Sequence, residues 1–329
     1  MAKVSVIIVS WNASSVIGNC LASLRAQTWQ DFGVTVVDNA SSDGTAELVR
    51  RDLPGTTVLR NPQNVGFARA NNQGIALSHG EYVLTLNPDV ELGPTCLQQL
   101  VKFADAHPQG GAFGGKLLKR SAADATPAII DSTGLRVTRS RRVLDRGEGE
   151  PDSGRYDVVE QVFGFSGACA LYRRSALTDA AQDGRVFDEF FFAYKEDVDL
   201  AWRLRLLGWE AWYVPMAVAV HPRGLGRRNG SLAARLGQRR QRSRTLRLLS
   251  WRNHRALLLK NEQLPNALVH AVPLGLRELA ALAYAIVAEP FQLRGLLQLA
   301  GHLPQLLRQR RTLLRRRRVT AREMRRWLR

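Results

Sequence analysis

A continuous apolar run, Val4-Ser5-Val6-Ile7-Ile8-Val9, opens the chain and constrains its fold more than any other feature. It does not alternate with polar residues, so it predicts a strand covered on both faces, the signature of a central parallel strand. The next segments repeat the theme. Val16–Gln27 has helical spacing, with Ile17, Leu21 and Leu24 on one face, and Val34–Val37 is again a strand. Ser42 or Asp43 can cap a helix over Thr45–Arg51. Thr57–Leu59 reads as a short strand, Asn61–Gly66 as a loop, Ala68–Ser78 as a helix and Tyr82–Leu86 as a fourth strand. Strands separated by helices of this length predict an α/β domain with a mostly parallel, doubly wound sheet.

Beyond residue 90 the pattern loosens. Pro94–Ala106 is expected to be a helix, and 119–160 an irregular insertion with short strands. Val162–Tyr172 reads as a strand, and Asp197–Leu207 as an amphipathic helix with Asp199 and Arg203 pairing on its face. Ala211–Val214 and Ala217–Val220 read as two short strands ending at His221. Leu232–Lys260 is a basic helical stretch, Asn266–Ala288 and Leu293–Leu307 are apolar, and Arg308–Arg329 is dense in arginine. The expected division is an α/β domain over 1–230 and a basic, helical C-terminal region over 231–329.

Charge supports that division. Residues 223–329 hold 25 Lys or Arg against 4 acids, a net +21, while the first 222 hold 22 against 25, a net −3. Basic tails seek phosphate polyanions, either nucleic acid or anionic lipid. The widely spaced Cys20, Cys96 and Cys169 offer neither a disulfide framework nor a zinc pattern, which fits a reducing compartment. No signal sequence is expected at the N-terminus. The longest charge-free stretch of the tail, Gln263–Leu276, is too short to span a bilayer.

Polar groups collect at the expected strand ends: Ser10-Trp11-Asn12, Asp38-Asn39, Asn87-Pro88-Asp89 and His221. Ligands of open α/β sheets bind beyond these ends. Neither Gly-x-Gly-x-x-Gly nor a Walker sequence is present, so a nucleotide is expected to be held by acidic and amide side chains. Acids and aromatics crowd together at Phe187-Asp-Glu-Phe-Phe-Phe-Ala-Tyr-Lys-Glu-Asp-Val-Asp199. Carboxylates in apolar company are paired, metal-bound or catalytic.

Five stretches in consistent order carry a resemblance: 4–12, 36–45 (Val-Val-Asp-Asn-Ala-Ser-Ser-Asp-Gly-Thr), 64–74 (Asn-Val-Gly-Phe-Ala-Arg-Ala-Asn-Asn-Gln-Gly), 86–90 (Leu-Asn-Pro-Asp-Val) and 196–200 (Glu-Asp-Val-Asp-Leu). Together they resemble family 2 glycosyltransferases, most closely the rhamnosyltransferase-like branch. The resemblance implies a GT-A fold, a nucleotide-sugar donor, Mg²⁺ or Mn²⁺, and inversion by single displacement. It places Ser10, Asn12, Asp38 and Asn39 at the base and ribose, and Arg69 near the diphosphate. Asp89 matches the last acid of the Asp-x-Asp metal motif, whose first acid is here Asn87. His221 matches a position that completes the metal shell, and Asp197 the catalytic base, with Glu196 as an alternative base or an orienting group.

The resemblance further implies transfer of L-rhamnose from dTDP-rhamnose to a lipid-linked bacterial cell-surface glycan. A UDP-hexose donor or a non-lipid acceptor is the alternative within the family. A non-catalytic nucleotide-sugar or nucleic-acid binding protein is the alternative outside it. Apolar stretches beside so many arginines favour an anionic membrane surface over nucleic acid. The tail is therefore expected to attach peripherally to the cytoplasmic face of the plasma membrane, with Trp327 as an interfacial anchor, and deletion of residues 262–329 to free the protein from anionic vesicles.

Overall fold

The computed structural model describes residues 2–120, 127–222 and 243–329. The expected boundary at 230/231, and the first part of the basic stretch from Leu232, lie outside them. Among the described residues a ten-stranded sheet forms the centre. Its strands are β1 (Val4–Ser10), β2 (Phe32–Asp38), β3 (Thr57–Arg60), β4 (Tyr82–Leu86), β5 (Glu91–Leu92), β6 (Gly110–Leu118), β7 (Ile130–Ser132), β10 (Glu160–Gln161), β11 (Cys169–Arg173) and β12 (Glu210–Val220). A separate hairpin pairs β8 (Leu135–Val137) with β9 (Val143–Asp145).

All seven residues of β1 are buried, as an unbroken apolar run requires. It pairs in parallel with β2 and β4, and the register sets Ser10 opposite Asp38 and Ile8 opposite Leu86. The ends of these strands, with Asn87 next in the chain, therefore share one edge. β11 runs antiparallel between β4 and β6, and β12 runs parallel to β6. His221, just past β12, thus reaches the same edge. The short β5 crosses antiparallel to β12 and pairs Glu91 with Val220, which brings the Asn87–Asp89 turn beside His221.

Three local readings change. The strand expected over Val162–Tyr172 pairs with β4 only from Cys169 onward. Before it, the chain passes close over a helix, where a Cβ on Gly164 would lie 2.3 Å from the Ala201 Cβ. The two strands expected over 211–220 are one, with a register shift between Tyr213 and Val218. Pro215 lies inside that shift, where the ladder tolerates a missing N–H. Helix α6 (Glu196–Leu206) is not amphipathic, because residues from Val198 to Leu206 are all buried. Its Asp199–Arg203 pair, 2.9 Å apart, is an interior contact instead of a surface one.

The other helices before it are α1 (Ile17–Arg25), α2 (Thr45–Asp52), α3 (Phe67–Ala76), α4 (Cys96–Ala106) and α5 (Arg174–Ala180). The outer face of α6 is covered by the C-terminal region: α7 (Arg244–Asn261), α8 (Leu264–Val269), α9 (Ala271–Val287), α10 (Arg294–Arg316) and α11 (Ala321–Arg325). Ala256, Leu257, Leu299, Leu306, Leu313, Met324 and Leu328 join Leu200, Ala201 and Trp202 in one hydrophobic cluster. Trp327 is not an outward anchor; it is half-buried, with the Arg205 guanidinium 4.0 Å from its ring centre. Cys20, Cys96 and Cys169 are buried free thiols.

Candidate active site

A cavity of about 800 Å³ opens at the shared strand edge. Asn87, Asp89, Glu196, Asp197 and His221 all line it, although they come from distant stretches of the chain. Ser166–Ala168 and Lys195 complete the wall near Asp197, and Lys119, Asp145 and Glu148 come from the insertion side. Leu246 and Ser250 of α7 also line it, so the C-terminal region contributes to the cavity.

At one end, His221 Nε2 lies 3.4 Å from Oδ2 of Asp89. Its Nδ1 lies 2.9 Å from Oδ2 of Asp131 on β7, a fully buried carboxylate. A histidine held by a carboxylate on one nitrogen and facing a second carboxylate with the other is the arrangement of many metal ligands. Among the described residues no group of three or more His, Cys, Asp or Glu could hold an ion. Asp89 and His221 offer two ligands, which suits a hard cation that completes its shell with diphosphate oxygens and water. The pair fits such an ion, and Asn87 at the turn adds an amide without adding charge. Sequence reading missed Asp131. Its only signal was a single acid directly after the apolar pair Ile129-Ile130 in a polar insertion.

At the other end, Asp197 opens α6. Its Oδ2 accepts the Gly167 backbone N–H at 3.1 Å and its Oδ1 accepts that of Val198 at 2.7 Å. A helix start favours the ionised form of this carboxylate. Burial outweighs that effect and the Lys195 charge, and pushes the Asp197 carboxyl above its ordinary range. Burial, with the Asp197 charge beside it, raises the neighbouring Glu196 to about 8. Oε2 of Glu196 is buried and has no hydrogen-bond partner among the described residues. A carboxylate raised by burial is a stronger base at neutral pH, as removal of a hydroxyl proton requires.

Asp188 and Asp199 of the crowded segment are paired in the interior instead. Asp188 accepts from Lys260 Nζ at 2.5 Å, and Asp199 from Lys260, Arg203 and Asn261 at 3.1, 2.9 and 2.8 Å. Burial alone would raise Asp199; Lys260 and Arg203 outweigh it and hold the carboxyl below its usual range. Asn72 of α3 brackets Phe187, accepting from its N–H and donating to its carbonyl.

The expected nucleotide residues lie along the same edge but outside the cavity wall. Ser10 and Asp38 are buried and joined at 3.3 Å, and Asp38 also faces Arg60 at 3.5 Å. Asn39 is buried and bonds Asn61, Val65 and Gly66, so its amide shapes the 61–66 loop. Asn12 is exposed at a φ of 48° and accepts the Ser42 N–H at 2.9 Å. Arg69 is exposed on the first turn of α3.

The family described as glycosyl transferase family 2 matches residues 5–180. The N-acetylglucosaminyl-diphospho-decaprenol L-rhamnosyltransferase of Mycobacterium tuberculosis is 31% identical over 245 residues, 66% of this chain and 75% of that protein. Among solved structures, a mannosyltransferase from Pyrobaculum calidifontis in complex with GDP-Man and Mn²⁺ aligns with a TM-score of 0.52 and 22% identity, covering 92% of this chain and 75% of its own. The Staphylococcus aureus TarS fragment aligns with a TM-score of 0.54 and 18% identity, covering 95% and 83%. At these identities the structural likeness speaks for the fold. The sequence match covers more than half of the chain, and the protein therefore belongs to glycosyltransferase family 2, as a transferase of GT-A fold.

Proposed function

We propose that the chain is an inverting, metal-dependent transferase that moves L-rhamnose from dTDP-rhamnose onto a lipid-linked bacterial glycan. The observation that carries this reading is the convergence of Asp89, His221 and Asp197 on one cavity of about 800 Å³, ample for a nucleotide-sugar end and an acceptor hydroxyl. The named mycobacterial relative supports the sugar and the lipid diphosphate acceptor.

In this reading Asp89 and His221 hold the cation, with Asp131 fixing the imidazole. When bound, such an ion neutralises the departing nucleoside diphosphate. Asp197 accepts the proton of the attacking hydroxyl while the Gly167 and Val198 amides hold its two oxygens in place. Each oxygen keeps a lone pair for the incoming proton. Asn12, Asp38 and Asn39 shape the nucleotide end, and Arg69, exposed at a helix start, serves the diphosphate.

The reading extends to a cytoplasmic membrane surface. No single helix among the described residues is long and apolar enough to cross a bilayer, although Ala271–Val287 and Pro290–Arg316, bent by 118°, pass together by length and composition. Val272, Leu276 and Leu279 are 71%, 64% and 66% exposed at helical spacing on α9. An apolar stripe left in water, beside a segment with a net charge of +21, suits an anionic lipid interface.

A panel of nucleotide sugars tests the function. The purified full chain is given each donor with Mn²⁺ or Mg²⁺ and a GlcNAc-diphospho-polyprenol acceptor, and release of nucleoside diphosphate is measured. Turnover with dTDP-rhamnose above all others is expected. Preference for a UDP-hexose, or indifference to the lipid acceptor, would reject the finer assignment.

A further inference from the structure

The segment that delivers the Glu196–Asp197 pair is held in a conformation that its residues avoid. Phe192, Tyr194 and Lys195 all have positive φ, at 61°, 69° and 78°. None is a glycine, and bulky residues there persist only where the surroundings over-determine them. Part of the restraint comes from α3. The Phe192 carbonyl accepts the Ala68 N–H at 3.1 Å, and the Phe192 ring packs so close to Gly66 that a Cβ there would lie 2.6 Å from it.

The rest comes from α7. Asn253 is fully buried, and its Nδ2 lies 2.8, 2.9 and 2.8 Å from the carbonyl oxygens of Phe191, Ala193 and Tyr194. The orientation of the amide is fixed by Arg252, which donates to Asn253 Oδ1 at 3.0 and 2.8 Å and to the carbonyls of Phe190 and Phe191. Asparagine is a poor helix former and burying its amide is costly, so packing does not account for it in the middle of α7. Two peptide units that bring the chain into Lys195 are those whose carbonyls it holds. Rotation of either would turn the first turn of α6 and draw Asp197 away from the Gly167 amide.

We propose that Asn253 is a positioning residue for transfer. It clamps the left-handed turn 192–195, so the C-terminal region completes the active site and does more than attach the protein to a surface. The proposal rests on the reading of Asp197 as the base.

The test compares Asn253→Ala, Asn253→Asp and Asp197→Asn in the full chain. Asn253→Asp keeps shape and volume but removes both donors, so it separates the clamp from simple packing. Both Asn253 variants are expected to lower kcat by about 10- to 100-fold, the scale of a misplaced catalytic group. Donor KM should stay close to wild type and melting should stay cooperative, although at a lower temperature, because buried carbonyls lose their donor. Wild-type kcat in either variant overturns the proposal. So does parallel loss of kcat, donor binding and cooperative melting in both, which would make Asn253 an ordinary core residue. Full turnover in Asp197→Asn removes the base assignment beneath the proposal. An inactive Asp197→Asn beside fully active Asn253 variants removes the clamp alone.

Discussion

The backbone N–H of Gly167 donates to Oδ2 of Asp197 across 3.1 Å, tying the small-residue turn before β11 to the first turn of α6. This contact gives Asp197 a fixed orientation inside the cavity. A Cβ on Gly167 would come 3.1 Å from the Phe67 ring, so the approach also depends on the lack of a side chain there.

Asp197→Asn is expected to reduce transfer by about 10²- to 10⁴-fold, the usual scale of a lost general base. Donor KM should change little, because the variant keeps the cavity shape. An amide cannot accept from both Gly167 and Val198, so one backbone N–H loses its partner, at roughly 1–3 kcal/mol of stability. Steady-state kinetics beside urea melts check both parts. Unchanged turnover would remove Asp197 from the role.

Glu196 makes stability depend on pH with a definite sign. Its folded-state pKa is raised to about 8 from 4.5, chiefly by burial and then by the Asp197 charge. Folding therefore favours the protonated form. The associated stability is complete below pH 4.5 and is lost as pH rises through about 8. Glu196→Gln, neutral throughout, should flatten this dependence and melt progressively higher than wild type as pH rises from 5 toward 8. Parallel Tm-versus-pH curves for the two proteins would show that Glu196 carries no such shift.

Lys260 is fully buried between Asp188 and Asp199 at 2.5 and 3.1 Å. Lys260→Met strands a carboxylate in the interior and is expected to cost about 3–5 kcal/mol in urea unfolding. Arg316→Ala breaks a 2.7 Å contact to Asp179 of similar appearance, but Arg316 is 44% exposed. Water already screens that pair, and about 0–1 kcal/mol is expected. Equal losses in both variants would contradict this burial argument.

Much of this architecture is legible in the chain because it is local. The run Val4–Val9, the amphipathic α1 and the polar strand ends announce a doubly wound sheet and its active edge. The acids at 187–199 announce a site, yet the sequence cannot divide them. Asp188 and Asp199 are matched by Lys260, and Glu196 and Asp197 face the cavity, only because α7 lies across the segment. Helical spacing likewise marks α6 as amphipathic, since the helix that covers its second face is encoded some 40 residues later. Asp131 was illegible for the same reason: its meaning depends on a histidine at the end of β12.

The Asp131–His221 contact at 2.9 Å gives a prediction of its own. Removing a carboxylate that orients a metal-ligating imidazole typically costs about 10- to 100-fold in metal affinity. Asp131→Asn should raise the Mn²⁺ concentration needed for half-maximal transfer by about that factor. At saturating Mn²⁺ most of the wild-type rate should return, whereas His221→Ala should stay slow. Unaltered metal dependence in Asp131→Asn would detach this carboxylate from the proposed metal site.

Removing the tail is no longer a clean test of lipid attachment. Leu299, Leu306, Leu313, Met324 and Leu328 are part of the main hydrophobic cluster, and a chain cut before them would expose that core. Substitution on the outer face of α9 avoids the difficulty. Val272, Leu276 and Leu279 are largely exposed, so Val272→Asp, Leu276→Asp and Leu279→Asp together should leave the melting temperature nearly unchanged. The same triple variant places three carboxylates against any anionic headgroup layer and removes the apolar side chains that would enter it. Sedimentation with vesicles of mixed phosphatidylglycerol and phosphatidylethanolamine is expected to retain the wild type and release the variant. Raising salt should weaken wild-type retention only in part, because the apolar component is not screened. Equal retention of both proteins would mean that arginines alone hold the chain to lipid and that the α9 stripe faces something else.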